Sequence, residues 1–335
     1  MGAVETVIER FLAEQERKLP IPELAGFILL LRQMLAAGGK RIRPLLCITG
    51  WRAVCPDPPS AAVLRAAASL ELFHTFALIH DDVMDRSAVR RGRPAAHRAL
   101  AAAHPGHPDP ARLGVSAAIL LGDLALGWSY ELMHTPGLLA GRAQAARELL
   151  NTMRTETMIG QYLDLASTGC SGTDLEAAWR ILRYKTARYT VAHPLRLGAL
   201  LGGAGPAQLA VLARYGMLVG EAFQLRDDLL GALGNPALTG KPAIDDLREG
   251  KHTVLVCLAL ARADAAQGVL LRRHLGDADL TDEQADQLRE VLTATGAVAE
   301  VEGMIAERWR KARAILDQAP LREEAGRVLS AIAPA

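Results

Sequence analysis

The chain has 335 residues, half of them apolar and 22% charged, with 38 Lys+Arg against 37 Asp+Glu for a formal net charge of +1. That is ample apolar surface for a large core and too much for a disordered chain. The balanced charge excludes the basic field of a nucleic-acid-binding protein, so any polyanion must be met by local clusters.

Aromatics are only 4%, and Ala and Leu fill the apolar share, which favours helices over sheets. Apolar residues recur at helical spacing with no sustained alternation. The expected fold class is therefore all-α, as a single domain over 1–335, although length alone would admit two. Helices are expected over 4–18, 22–36, 40–54, 60–84, 112–134, 138–167, 173–192, 206–232, 252–265, 281–294, 297–317 and 320–332. Breaks fall at Pro56-Asp57-Pro58-Pro59, His104-Pro105-Gly106-His107-Pro108, Gly202-Gly203 and Gly234-Asn235-Pro236. Ser60 suits an N-cap, and Pro44 suits a first helical turn. Segments 60–84, 112–134 and 206–232 are apolar nearly all round, which places them inside a bundle.

The first twelve residues carry acidic groups where a signal peptide is basic. Gly2 and Thr6 fit the loose myristoylation pattern, but an amphipathic helix explains the same residues better. The apolar run 254–261 is too short to span a bilayer, and the run 115–128 is broken by Asp123, so no transmembrane segment is expected. Cys47, Cys55, Cys170 and Cys257 are scattered without paired spacing, which suggests neither a zinc site nor disulfides. A reducing, cytoplasmic location follows.

The chemistry concentrates in Leu78-Ile79-His80-Asp81-Asp82-Val83-Met84-Asp85. Asp81 and Asp85 are four apart, on one helix face with about 6 Å of rise between them. Three carboxylates ending an apolar helix repel one another unless cations neutralise them, and oxygen-only ligands suit Mg²⁺. An isolated cluster of this kind is most often a solvated helix end. Here Asp227-Asp228 ends another apolar helix, and Gln161 and Asp164 lie three apart on a third. If those ends converge, they form a Mg²⁺ site above a hydrocarbon pocket.

Cations alternate with these acids. Lys40, Arg41 and Arg43 stand at a helix start, where free N–H groups also favour anions. Arg90, Arg91 and Arg93 follow the first acidic cluster, and Lys185, Lys241 and Lys251 stand beside a hydroxyl or a glycine. Each alone reads as a solvated charge. Together they make a diphosphate cage, with metals bridging Asp to phosphate and Arg or Lys taking the other oxygens.

These pieces occur in order over 38–253: GGKRIRP, then ExxHxxxLIHDDVMDxSxxRRGxPxxH over 71–97, GQxxD over 160–164, Lys185-Thr186, FQLRDD, and GKxxxxDxxxGKxT over 240–253. In that combination the chain resembles the trans-isoprenyl diphosphate synthases of the polyprenyl synthetase family. The resemblance implies a helical bundle of isoprenoid-synthase type around a central apolar cavity, usually homodimeric. It implies condensation of isopentenyl diphosphate with allylic diphosphates, by ionisation, attack of the isopentenyl double bond, and proton loss. It also implies Mg²⁺, three ions per site.

Carried over by the resemblance, Asp81, Asp82 and Asp85 would hold two ions. Asp227 would hold a third, supported by Gln224, Asp228, Gln161 and Asp164. Arg90, Lys185 and Lys241 would contact the allylic diphosphate, with Thr186 and Gln224 in the catalytic set. Lys40, Arg43, His74 and Arg91 would bind isopentenyl diphosphate, and Lys251 would help close a loop over the site. One departure is Gly231, where family members often carry a third Asp of the second cluster; Gly231→Asp is expected to change the Mg²⁺ requirement only modestly. Phe76 and Ala77, five and four residues before Asp81, resemble the chain-length pattern of C20 (geranylgeranyl) synthases, with C15 (farnesyl) as the alternative. Phe73 could be a second stop but reads as core.

The rivals are a class I terpene cyclase, a non-catalytic synthase subunit and an HD-type phosphohydrolase built on His80-Asp81. The cyclase motif would need a hydroxyl and a Glu at Gly231 and Asn235, and the phosphohydrolase leaves the cationic clusters unexplained. His97, His193 and His252 read as capping or surface residues, Asp123 as structural, and Trp51, Trp128, Trp179 and Trp309 as packing.

Overall fold

Helix-forming apolar segments dominate the computed structural model, which describes residues 2–133, 140–168, 172–234 and 244–332. The first half holds α1 (Gly2–Lys18), α2 (Pro22–Ala36), α3 (Ile42–Arg52), α4 (Ala61–Met84), α5 (Ala96–Ala102), α6 (Pro110–Met133) and α7 (Ala140–Ser167). Next come α8 (Leu175–Ile181), a π-helix (Leu182–Ala192), α9 (His193–Gly202) and α10 (Pro206–Leu233). Shorter helices close the chain at Asp245–Glu249, Val254–Arg262, Ala265–His274, Asp282–Ala294, Ala297–Asp317 and Glu323–Ile332.

Local signals explain most boundaries. Ser60 caps α4 by accepting a hydrogen bond from the Val63 N–H. Helix α3 starts at Ile42 rather than residue 40, because Gly38, Gly39 and Arg41 all have positive φ (87°, 133° and 45°). The segment expected as one helix over 173–192 changes to i→i+5 bonding after Ile181 and runs on into α9. Helices Ala96–Ala102 and Ala265–His274 were not expected; the latter begins with a capping box between Asp264 and Gln267. Among the described residues the strands are Val89–Arg90 and Arg93–Pro94, an antiparallel pair. Arg91 and Gly92 turn it with φ of 52° and 72°, as a two-residue hairpin of this twist requires.

Helix α4 is the axis. Val63, Leu70, Phe73 and Ile79 on its several faces are fully buried, packed with apolar residues of α1, α2, α6 and α7. A second apolar cluster joins α8 and the end of α10 to the helices after residue 253, and a third joins α3, α9 and α10. By length and composition α4 and α6 could each cross a membrane, a possibility the broken run 115–128 had dismissed. Most of the apolar α4 window is buried inside the protein, whereas α6 leaves Val115, Ile119 and Leu120 exposed.

Candidate active site

The C-terminal turn of α4 presents Asp81 to an open cavity and turns Asp82 away, because successive helical residues differ by about 100° in direction. Asp82 is fully buried, and its Oδ1 accepts a hydrogen bond from Arg90 Nε at 2.7 Å. Asp82 was expected beside Asp81 and Asp85 as a metal ligand; here its buried carboxylate pairs with Arg90 and fixes that side chain. Arg90 Nη2 reaches on to Asp81 Oδ2 at 3.2 Å. The hairpin after α4 thus folds Arg90 back onto the acidic helix end.

Lys185, on the π-helix, bridges two of the acidic segments. Its Nζ lies 2.5 Å from Asp164 Oδ2 and 3.4 Å from Asp81 Oδ1, and Gln161 Nε2 donates to Asp81 Oδ1 at 3.2 Å. Burial pushes the Asp81 carboxyl up, but Lys185 and Arg90 outweigh it and hold the group below its ordinary range. Burial lowers and Asp81 and Asp164 raise the Lys185 ammonium, with a net upward shift. The bridge depends on Gly160: a Cβ there would overlap the Lys185 backbone nitrogen, so only glycine lets α7 approach the π-helix this closely. The wider π turn supplies Lys185, Thr186, Tyr189 and Thr190 to the cavities.

The second cluster ends α10. Gln224 Nε2 donates to Asp228 Oδ1 at 2.7 Å. Desolvation raises Asp227 to about 6 and Asp228 to about 7, with the Asp246 charge adding to both. Burial and the neighbouring Asp81 likewise raise Asp85 to about 6. Asp246 fills the space beside Gly231, where a Cβ would overlap its Oδ2. Lys251 Nζ pairs with Glu249 at 2.6 Å and Asp246 at 3.5 Å. Lys241 and Asn235 lie outside the described residues.

The cationic group adjoins both. Arg43 donates to Thr190 Oγ1 at 2.7 Å and lies 4.2 Å from the Tyr189 ring centroid. His74 Nδ1 is 2.9 Å from Tyr189 Oη. Burial and then Arg43 and Arg91 hold the His74 imidazole well below its ordinary pKa, so it is a neutral hydrogen-bonding group, not a cation. Arg91 bonds the Gly38 carbonyl, and Arg41 pairs with buried Glu71.

Three adjoining cavities join these groups. One of about 340 Å³ is lined by Asp81, Asp164, Lys185, Gln224, Asp227, Asp228, Asp246 and Lys251. A second, of about 820 Å³, is lined by Lys40, Arg43, His74, Arg90 and Arg91, and shares Asp227 with the first. A third, of about 540 Å³, starts at Asp81 and Lys185 and descends past Phe76, Ala77 and Leu126. Asp81 and Asp227 therefore face one polar rim, with an apolar hollow beneath it.

The donor set fits Mg²⁺: the rim offers carboxylates and an amide, and among the described residues the one imidazole lining the carboxylate-rich cavity, His252, is turned to the Asp174 carbonyl. The raised carboxyl pKa values at Asp85, Asp227 and Asp228 come first from desolvation and then from neighbouring carboxylates, which an added cation would offset. Among the described residues no group of three acidic, His or Cys side chains forms a self-sufficient metal site. Ions held here would share phosphate oxygens, as Mg²⁺ commonly does.

Several expectations needed revision. His97, His193 and His252 are buried, not surface residues: His193 Nε2 lies 2.7 Å from Glu156 Oε2, and His252 Nε2 is 3.1 Å from the Asp174 carbonyl. Asp123 is exposed at the mouth of the apolar cavity, 3.6 Å from His80 Nε2. Tyr189 was missed, although it stands one turn after Lys185 on the same helix. Asp246 was also missed as a site residue, although its carboxylate was a fixed letter of the last motif.

The family described as Polyprenyl synthetase matches residues 27–293. The solved structure of geranylgeranyl pyrophosphate synthase from Corynebacterium glutamicum, complexed with isoprenyl diphosphate and magnesium, has a TM-score of 0.93 at 40% identity, covering 98% of this chain and 96% of that one. The geranylfarnesyl diphosphate synthase of Aeropyrum pernix is 32% identical over 293 residues, 86% of each chain. The (2E,6E)-farnesyl diphosphate synthase of Mycobacterium tuberculosis is 34% identical over 284 residues, 82% of this chain and 70% of that one.

Proposed function

This chain belongs to the polyprenyl synthetase family and is a prenyl diphosphate synthase, a transferase; from that premise we propose that it extends allylic diphosphates with isopentenyl diphosphate to a C20 product. The observation that carries this reading is the shared rim: Asp81 and Asp227 line one polar cavity, and the apolar cavity opens beneath Asp81.

In this reading the allylic diphosphate lies between Asp81, Asp85 and Asp227, with Arg90, Lys185 and Lys241 on its remaining oxygens. Bound Mg²⁺, three ions in our proposal, would neutralise the charge that develops on the leaving diphosphate. Lys185 and Arg90 add fixed positive charge at the same place. Gln161, Asp164, Gln224 and Asp228 orient the carboxylates and the lysine. Isopentenyl diphosphate is met by Lys40, Arg43 and Arg91, with neutral His74 and Tyr189 beside its apolar part. The double bond then attacks the allylic cation, and the released diphosphate is the proton acceptor. Thr186 lines both the polar and apolar cavities, close to the carbon that ionises. Water must be excluded there, because it would quench the cation.

C20 rests on Phe76, backed by Phe73 with ring centroids 5.4 Å apart, and small Ala77 one turn below Asp81. C15 is the second reading, since the mycobacterial relative carries the farnesyl name. We also propose a homodimer in the cytoplasm: Val115, Ile119 and Leu120 of α6 and Ile159 of α7 are exposed apolar side chains outside the cavity that a second copy would cover.

Incubation of pure protein with Mg²⁺, labelled isopentenyl diphosphate and each allylic primer tests the reading. Elongated diphosphates of twenty carbons support it, and fifteen carbons favour the second. Cyclic hydrocarbons or no turnover would overturn it. Light scattering after size exclusion tests the dimer.

A further inference from the structure

The apolar cavity descends between three helices in matching steps. Asp81 of α4, Asp123 of α6 and Gln161 of α7 stand at its mouth, and Phe76, Leu126 and Thr157 line it about one turn deeper. A further turn down the same helices stand Phe73, Ser129 with Tyr130, and Arg154. That deepest tier contains a charge. Arg154 is only 4% exposed, its guanidinium carbon lies 3.5 Å from the Tyr130 ring centroid and 6.0 Å from that of Phe73. Nη2 donates to Ser129 Oγ at 3.3 Å and Nη1 to Asn151 Oδ1 at 3.4 Å.

Among the described residues no carboxylate pairs with Arg154. A buried cation without a counter-charge is costly, and an aliphatic side chain could fill this place without that cost. Nothing in the diphosphate cage accounts for it either, because Arg154 is seven residues before Gln161, about 10 Å down the helix. Aromatic faces and a hydroxyl hold the guanidinium in place. A hydrocarbon tail pushing into this tier would strip those contacts and offer none in return. A flexible apolar side chain would move aside instead.

We infer that Arg154 is a specificity-determining residue, the second floor of the hydrocarbon cavity, which halts a growing chain that has passed Phe76. The inference rests on the chain-elongation reading above. Each tier spans about 5.4 Å, one helical turn, close to the length of one isoprene unit.

The test compares dephosphorylated products of the wild type, Phe76→Ala, Arg154→Met and the double variant, made with excess isopentenyl diphosphate and separated by chromatography. Phe76→Ala is expected to lengthen the main product by one isoprene unit. Arg154→Met alone is expected to keep the wild-type length, because Phe76 still closes the tier above. The double variant is expected to lengthen it by two units or more. A double variant no longer in product than Phe76→Ala overturns the second floor, as does an unchanged length in both. A wild type that makes no elongated diphosphate defeats the underlying reading instead. Circular dichroism and thermal unfolding check each fold, and Arg154→Gln, neutral and of similar reach, replaces Arg154→Met with the same expectation if the latter does not fold.

Discussion

Oδ2 of Asp246 occupies the space into which a side chain at residue 231 would project: a Cβ on Gly231 would overlap that oxygen and lie 2.9 Å from the carboxyl carbon. The carboxylate absent from the second acidic cluster is thus matched by one arriving from the helix Asp245–Glu249, which lines the same cavity. Gly231 is not a vacancy waiting for an acid, which bears on the expectation that Gly231→Asp would change the Mg²⁺ requirement only modestly. The substitution should push Asp246 aside and crowd a further negative charge against Asp227 and Asp228. The clash is with the end of a side chain that can rotate away, so the main cost is the added charge and not the added volume. Metal-free Gly231→Asp should therefore unfold at a lower temperature than wild type, and Mg²⁺ should raise its Tm by more. A Tm and an Mg²⁺ response both equal to wild type would show that the site accommodates the acid freely.

Lys185 holds together two carboxylates from different helices, Asp81 and Asp164. Lys185→Ala leaves Asp164 without that cation and Asp81 with Arg90 as its remaining close one. Breaking a buried pair costs roughly 3–5 kcal/mol, and the partial exposure of this one reduces that to about 1–3 kcal/mol. The same change removes a fixed positive charge from the reacting diphosphate, which typically costs on the order of 10² to 10³ in kcat. Denaturant titration and steady-state kinetics measure the two losses separately. A variant with wild-type kcat would exclude Lys185 from the reaction centre.

Much of this arrangement was legible in the sequence, because it rests on local rules. Helical periodicity gave most elements, the Ser60 cap marked the start of α4, and the spacing of Asp81 and Asp85 put both on one face. Less legible was direction within a cluster. Asp82 carries the same letter as its neighbours, yet its rotation on the helix commits it to Arg90. The π-helix had no periodic signature, since its widened turn depends on close packing at Gly160 as well as on its own residues. Asp246 opposite Gly231 and Arg154 beneath Phe73 are contacts between remote segments, and spacing along one helix does not report them.

The raised carboxyls set a pH dependence whose sign follows from proton counting. The unfolded chain releases its Asp protons near pH 4, whereas folded Asp227 and Asp228 keep theirs to about 6 and about 7. Their crowded surroundings strip water from the charged form and the Asp246 charge adds to this, although Asp227 stays solvent-exposed and Asp228 is only half-buried. Between those limits the folded state binds more protons, so these groups favour folding at low pH and that contribution is lost as pH rises through 6 to 7. Asp81 is shifted the other way by Lys185 and Arg90, and partly offsets the trend. Mg²⁺ competes with the same protons, so its stabilising effect should be larger at pH 8 than at pH 6. Thermal unfolding with and without Mg²⁺ at both pH values measures this. Equal shifts would remove Asp227 and Asp228 from the metal response.

Ala77 gives the most direct test of how α4 limits the product. It lies one turn below Asp81 on the same face and lines the apolar cavity, about 6 Å of helix from the rim. A ring there would stand directly under the reacting carbon, above Phe76 and Phe73, where the tail must pass on its first turn of growth. Ala77→Phe should therefore shorten the main product to C15 or C10. The larger side chain has somewhere to go, because it extends into open cavity and not into packed core, so little stability should be lost. Chromatography of the dephosphorylated products reads the length, and thermal unfolding reads the fold. A folded Ala77→Phe enzyme that still makes the wild-type length would mean that the tail leaves the rim by a path that does not follow α4.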